Sequence, residues 1–173
     1  MRQIAFLLVA VAMVAGTVTY MAPASGQTGG EAAPIFVTKI PPGYRDFRLI
    51  SVAHEAGSLN SLGAALGNDV AIKAFREGTL PYPDGTIIAA LHYRNTPSEE
   101  NDRIFGRAQS FVPGAPTNIQ FMIKDSKKYA ATGGWGFGFF IDGKPVDEAL
   151  MKSCFPCHAR EKARDLVFTH YAP

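Results

Sequence analysis

The chain has 173 residues, of which 47% are hydrophobic and 18% charged, with 17 basic and 15 acidic side chains. This composition excludes a disordered tail, a collagen-like rod and a multi-pass membrane protein, and the length suits one domain with a substantial core. A formal net charge of +2 is too weak to indicate a nucleic-acid partner, and two cysteines are too few for a disulfide-stapled scaffold.

The N-terminus has the layout of a secretory signal. Arg2 precedes an unbroken apolar run from Ile4 to Ala15, and Ala22-Pro23-Ala24 has the small-x-small pattern of a signal peptidase site. We therefore expect residues 1–24 to be cleaved and the mature protein to be periplasmic. An uncleaved membrane anchor is the alternative, because the uncharged stretch from Gln3 to Gln27 is long enough to cross a bilayer.

A flexible lead-in is predicted for residues 25–43, which are rich in glycine and alanine at first and end in a Pro-Pro-Gly turn. The domain itself is expected to occupy residues 44–173. The segment from Tyr44 to His54 predicts a strand. The segment from Gly57 to Gly67 is small and polar, which predicts a loop.

A short helix is predicted next, because Asn68 or Asp69 can cap its free N–H groups and Gly78 would end it. Thr86 to Arg94 then alternates as a strand does. One face of this strand would carry Ile87, Ala89, Leu91 and Tyr93, and the other Ile88, Ala90, His92 and Arg94.

The second half of the domain begins with a polar stretch from Pro97 to Gly114, which predicts a long surface loop. Thr117 to Lys124 alternates again and predicts a strand. Gly134 to Phe140 interleaves glycines with aromatic residues, so its glycine face would let a bulky group approach the backbone. Further predicted elements are a hairpin turn at Asp142-Gly143 and short helices over Asp147–Lys152 and Cys157–Arg164.

These elements together predict an α+β fold, mainly an antiparallel β-sheet with a few short helices. The alternating strands argue against an all-helical bundle.

The residues that carry chemistry are Cys154-Phe155-Pro156-Cys157-His158, a Cys-x-x-Cys-His motif. Two thiols three residues apart on a helical turn point to the same side and can add to the two vinyl groups of one haem. His158 would then be the iron ligand, and its second ring N–H should go to a carbonyl or carboxylate. We therefore expect one covalently attached haem c.

Three other interpretations of the two cysteines stay open at this stage. Phe155-Pro156 between the thiols is similar to a thioredoxin-like redox dithiol, although only fifteen residues follow His158. A zinc site would need a further distant ligand, and a short-range disulfide is the third possibility.

The other face of the iron has no obvious ligand. Electron-transfer cytochromes c pair histidine with methionine, but no methionine follows the motif here. The remaining candidates are more typical of core or surface positions, so an open or weakly occupied site is expected. They are Met122, His54, His92 and His170.

Over about residues 44–173, the chain resembles the cytochrome P460 family, which includes the cytochromes c′-beta. The resemblance rests on the order and spacing of five short motifs. They are Asp84-Gly85-Thr86, Lys124-Asp125-Ser126-Lys127-Lys128-Tyr129, Gly134-Trp135-Gly136-Phe137, Cys154 to His158, and Asp165-Leu166-Val167-Phe168-Thr169. The resemblance implies a mainly antiparallel β fold, a homodimer and a five-coordinate haem c with histidine as its only protein ligand.

Two positions depart from the hydroxylamine-oxidising branch of that family. Members of that branch carry a lysine joined to the haem ring, and the matching position here is Ala90, with no lysine between Lys73 and Lys124. They also keep a distal carboxylate where this chain has Gln120, and an amide cannot take the proton that hydroxylamine must lose.

Both departures favour the cytochrome c′-beta side, whose members bind nitric oxide or carbon monoxide in an apolar distal pocket. Gln120 could donate a hydrogen bond to such a ligand. The candidates for an apolar pocket are Phe121, Phe105, Phe111 and the aromatic strand from Trp135 to Phe140.

The leading hypothesis is thus an exported haem c protein that binds small gases or nitrogen oxides. A hydroxylamine or nitric oxide oxidoreductase and a plain electron carrier with a redox protein partner are the alternatives. Basic side chains near the motif could pair with haem propionates, steer an acidic partner or simply be solvated. They are Lys152, Arg160, Lys162 and Arg164.

Overall fold

Six antiparallel strands form a meander in the computed structural model, which describes residues 35–172. Their order in the sheet is their order in the chain. The strands are β1 (Arg48–Glu55), β2 (Ser61–Gly67), β3 (Ile87–Pro97), β4 (Phe111–Lys124), β5 (Trp135–Ile141) and β6 (Lys144–Pro145). The helices are α1 (Asp69–Glu77), α2 (Glu99–Phe105), α3 (Glu148–Lys152) and α4 (Cys154–His158), with single 3-10 turns at Tyr44–Asp46, Ala130–Thr132 and Lys162–Arg164. The predicted α+β class is confirmed.

The predicted signal, residues 1–24, lies outside the described residues, as does the lead-in up to residue 34. The rest of the lead-in is held against the sheet, contrary to the prediction of a flexible segment. Val37 N–H donates to the Phe137 carbonyl at 2.7 Å, and Phe137 N–H donates to the Ile35 carbonyl at 2.9 Å. This segment covers the edge of β5 beyond the short β6, so backbone groups there are paired.

The predicted loop from Gly57 to Gly67 is wrong, because β2 runs through most of it. Its small side chains reflect close packing and not a turn. A Cβ at Gly67 would lie 2.8 Å from that of Ala71 and 2.9 Å from Ile50 Cδ1, so only glycine fits between strand and helix.

The predicted loop from Pro97 to Gly114 is also wrong. It contains α2, which Ser98 caps, and the start of β4. Proline suggested irregular structure, but Pro113 and Pro116 lie opposite β3 where the register shifts, which is where a strand tolerates a missing N–H.

Two further boundaries differ from the predictions. The strand predicted from Tyr44 begins at Arg48, after a 3-10 turn. The helix predicted over Cys157–Arg164 is instead α4 over Cys154–His158, and the chain beyond it turns back through a left-handed pair at Asp165 and Leu166, with φ of 50° and 68°.

Several local predictions are confirmed. The Asn68 side chain accepts the Ala71 N–H at 3.0 Å and so caps α1, which ends at Gly78 in the left-handed conformation. Asp142-Gly143 forms the two-residue turn between β5 and β6, with positive φ at both residues, as a type I′ hairpin requires.

The sheet has two faces that bury different clusters, and the predicted alternation of β3 separates them. One face, called the cavity face because it borders a cavity described below, carries Ile88, Met122 and Phe137, which pack with α1 and with Leu166 and Val167 near the C-terminus. The opposite face carries a second cluster under the chain that enters β1, made of Ala89, Leu91, Phe121 and Phe140.

The glycine face of β5 admits a bulky group, as the sequence predicts, and at Gly136 that group is the Tyr129 ring. A Cβ at Gly136 would lie 2.3–2.6 Å from three ring carbons of Tyr129, which is itself 3% exposed. The aromatic ring therefore fixes glycine at this position.

We expect Gly136→Ala to lower the free energy of unfolding by about 1–3 kcal/mol, because the Tyr129 ring must move to admit a methyl group. Thermal and denaturant unfolding measure this change. Gly63→Ala in β2 is the control, since its Cβ would meet neighbours at an ordinary 3.7–3.8 Å. Equal stability of the two variants would contradict the packing argument.

Candidate haem site

The Cys-x-x-Cys-His motif forms α4, which lies over the cavity face of the sheet. Phe155 packs against the core there, with its ring centroid 6.2 Å from that of Phe137. Cys154 is half-buried, Cys157 is exposed, and both are free thiols. The two thiols and His158 all border one cavity of about 1050 Å³.

His158 is oriented by a hydrogen bond to the backbone. Its Nδ1 lies 2.8 Å from the Leu166 carbonyl oxygen, which can only accept, so Nδ1 carries the proton and Nε2 keeps its lone pair. Phe137 and Phe168 flank the ring at centroid distances of 5.1 and 4.5 Å. Burial lowers the pKa of His158, outweighing the opposite effect of the Leu166 hydrogen bond, and so favours the neutral ring. A neutral, oriented imidazole is what an axial iron ligand requires.

A buried ion pair holds the turn that carries this carbonyl. The Lys124 ammonium, only 6% exposed, donates to both carboxylate oxygens of Asp165 at 2.8 and 2.9 Å and to the Gly133 carbonyl at 3.0 Å. The Tyr82 N–H also donates to Asp165, at 2.9 Å. Asp165 immediately precedes Leu166, so these contacts fix the acceptor for His158 from the end of β4.

The wall contributed by β3 and β4 contains two of the sequence-predicted distal residues. Ala90 and Gln120 are directly paired across these strands, and both border the cavity that His158 borders. Gln120 Nε2 donates to Asn118 Oδ1 at 3.1 Å, and this hydrogen bond orients the Gln120 amide.

The structure distributes the predicted aromatic candidates unevenly. Phe121 belongs to the opposite cluster, where its ring contacts those of Tyr44 and Phe140, although the residue also borders the cavity. Phe105 and Phe111 are each 58% exposed and do not line it, so their proposed place in the pocket is wrong. From the aromatic strand, Phe137 and Phe139 line the cavity, whereas Trp135 is wholly buried in the core.

The candidates for a sixth iron ligand differ in whether they border the cavity. Met122, His92 and His170 border the cavity, but His54 does not. Sequence reasoning missed Glu55, which lies beside His92 on this wall, because only the pairing of β1, β2 and β3 brings them together.

The four basic side chains near the motif lie outside the cavity lining. Within the described chain, the lining contains no lysine or arginine.

The donor set fits a haem. Two thiols and an imidazole with a free Nε2 border a cavity at the upper end of the roughly 300–1,000 Å³ found for small-molecule sites. A family model described as Cytochrome P460 matches residues 41–169, most of the chain.

The chain belongs to the cytochrome P460 family.

Membership in this family implies a haem cofactor. A search of curated proteins finds no match for the chain. Cytochrome P460 membership also agrees with the six-stranded antiparallel sheet.

The other interpretations of the cysteines fit this family member poorly. Burial raises the pKa of the Cys154 thiol, the opposite of what a redox-active thiolate needs. Over residues 35–172, no three His, Cys, Asp or Glu side chains are grouped so that they could hold a metal ion, and so zinc gains no support.

Among the helices of residues 35–172, none is long and apolar enough to span a membrane.

We expect Lys124→Met to lower the free energy of unfolding by about 3–5 kcal/mol, because Asp165 would be left buried without its partner. Lys152→Met removes an exposed pair with Glu148, whose side chains are 63% and 71% exposed, and should change stability by less than about 1 kcal/mol. Thermal unfolding compares them. Matching losses would show that the buried pair does not anchor the C-terminal turn.

Proposed function

We propose that this cytochrome P460 family member carries one haem c, joined covalently through Cys154 and Cys157, and binds nitric oxide or carbon monoxide. His158 would be the axial ligand through Nε2, and the bound haem would supply an iron with an open coordination position. The observation that supports this function best is the Ala90–Gln120 pair on the cavity wall, which offers neither a cross-linking lysine nor a carboxylate at those positions.

Some residues of the chain orient His158, and others set the polarity of the cavity. The hydrogen bond to Leu166 holds the His158 ring in one tautomer, and Phe137 and Phe168 restrict its rotation. Met122 and Phe139 add apolar surface to the cavity. Distal polarity and hydrogen-bond donors decide what a haem protein does with a small ligand, so an apolar lining favours uncharged gases.

An oxidoreductase acting on hydroxylamine or nitric oxide is the second candidate. Such chemistry needs an acid–base group that faces the substrate, and Gln120 cannot serve. The candidate is kept because His92 and Glu55 border the same cavity.

We extend the proposal to location and assembly. The layout of residues 1–24 supports export to the periplasm. The resemblance to the cytochromes c′-beta supports a homodimer. A redox protein partner follows only if the iron changes oxidation state in the cell.

Covalent attachment is tested by expressing the full chain with haem maturation machinery. The exported protein should gain the mass of one haem and stain for haem peroxidase on a denaturing gel. Cys154→Ala/Cys157→Ala should lose the stain, because no thioether can form, whereas Lys152→Met should keep it. A colourless protein with the mass of the bare polypeptide would refute haem c.

The open distal site is tested by optical spectra of the ferric and ferrous protein. We expect a high-spin ferric spectrum and binding of carbon monoxide and nitric oxide to the ferrous form, because the proposed iron has an open coordination position. A low-spin six-coordinate spectrum would instead indicate an electron carrier. Hydroxylamine consumption with an electron acceptor would favour the oxidoreductase.

A further inference from the structure

One end of the cavity is polar, and its residues come from four adjacent strands. His92 lies on β3 two residues from Ala90 and directly opposite Asn118, whose side-chain oxygen accepts a hydrogen bond from the Gln120 amide. Glu55 ends β1 and pairs with Ser61 at the start of β2. All of these residues border the cavity that contains the Cys-x-x-Cys-His motif.

The carboxylate of Glu55 lies next to the imidazole of His92, as a charged contact and not a hydrogen bond. His92 Nδ1 lies 3.6 Å from a Glu55 carboxylate oxygen and 3.5 Å from Ser61 Oγ, and the imidazole side chain is 15% exposed. The negative charge of the carboxylate lies closest to Nδ1 and so favours the proton on that nitrogen, which leaves the Nε2 lone pair for another partner. The same negative charge also balances the positive charge that the ring acquires when Nε2 takes a proton.

Small side chains leave room in front of this pair. Gly63 is directly opposite His92 on β2, where even a methyl group would lie 3.7 Å from Nδ1, and Ala90 is the next residue on the same face of β3. The imidazole also borders the cavity and is partly exposed, so a small molecule in the cavity can reach it.

A propionate anchor is another role that a histidine could have in a haem cleft. The Glu55 carboxylate argues against it, because a second carboxylate beside the first would be repelled. The described lining also offers no lysine or arginine to offset such a charge. The arrangement suits proton exchange better than anion binding.

We propose that His92, supported by Glu55, takes the proton of protic small molecules that enter the cavity, in place of the carboxylate absent at Gln120. This inference rests on the proposed haem site and adds a ligand class to it, weak acids of the form H–X. The H–X bond breaks, its electron pair stays on X, and the proton goes to Nε2 of His92. Protic ligands should then be favoured over aprotic ones.

The test compares two probes on the purified haem protein, hydrogen cyanide on the ferric form and carbon monoxide on the ferrous form. Only cyanide arrives with a proton to lose. We expect His92→Gln to slow cyanide association by roughly 10²-fold, as for loss of a general base, and Glu55→Gln to slow it less. Carbon monoxide association should stay within about twofold, which also shows that each variant is folded and carries haem.

His54→Gln is the matched control, because His54 is exposed on β1 beside Glu55 and does not line the cavity. It should leave both probes unchanged. Equal cyanide rates in the wild type and His92→Gln would overturn the inference while leaving gas binding intact. Faster binding of both probes in His92→Gln would also overturn it, since His92 would then be an iron ligand. Failure of the wild type to bind either probe would instead refute the proposed function.

Discussion

The buried ion pair between Lys124 and Asp165 is the contact on which the geometry of the site depends. It joins the end of β4 to a turn 41 residues later, and all the donors of the Lys124 ammonium are directed to that turn or to the Gly133 carbonyl. A buried pair is a weak source of net stability, because desolvation offsets much of the attraction. Its effect here is positional, since it sets where the Leu166 carbonyl lies and so how the His158 ring is turned.

The cavity that results has walls of different origin and different chemistry. The motif wall comes from one short C-terminal segment, whereas the facing wall is spread over β1 to β5. That facing wall is apolar around Met122 and Phe139 and polar around His92. A haem protein with such a divided cavity can hold an uncharged gas at one end and exchange a proton at the other.

Local patterns predicted much of the fold and one wall of the site. The alternation from Thr86 to Arg94, the caps at Asn68 and Gly78, and the spacing of the Cys-x-x-Cys-His motif all depend on neighbours in the sequence. The alternation also placed Ala90 and Gln120 on predicted strands, while the resemblance to the cytochrome P460 family made them distal candidates. The sequence could not predict β2, because its small residues are explained only by the atoms packed against them, as at Gly67.

Long-range pairing explains the other misses. Glu55 and His92 are 37 positions apart and meet only because β2 lies between their strands, a fact that no local signal contains. Phe121 is predicted as a distal residue from its aromatic character, but its ring packs against those of Tyr44 and Phe140, which come from other parts of the chain, on the opposite face. Phe105 ends α2 and Phe111 begins β4, two elements that lie in the segment predicted as a loop because of its proline and polar residues.

The separation of eight positions from His158 to Leu166 limits how the motif could be transferred to another protein. Transplanting the pentapeptide alone into another scaffold would carry over the two thiols and the imidazole without the return loop, and the imidazole ring would be free to rotate. The smallest portable unit is the pentapeptide, the loop with its left-handed pair, and a lysine supplied by a neighbouring strand. An insertion of even one residue in that loop would shift the carbonyl away from the ring.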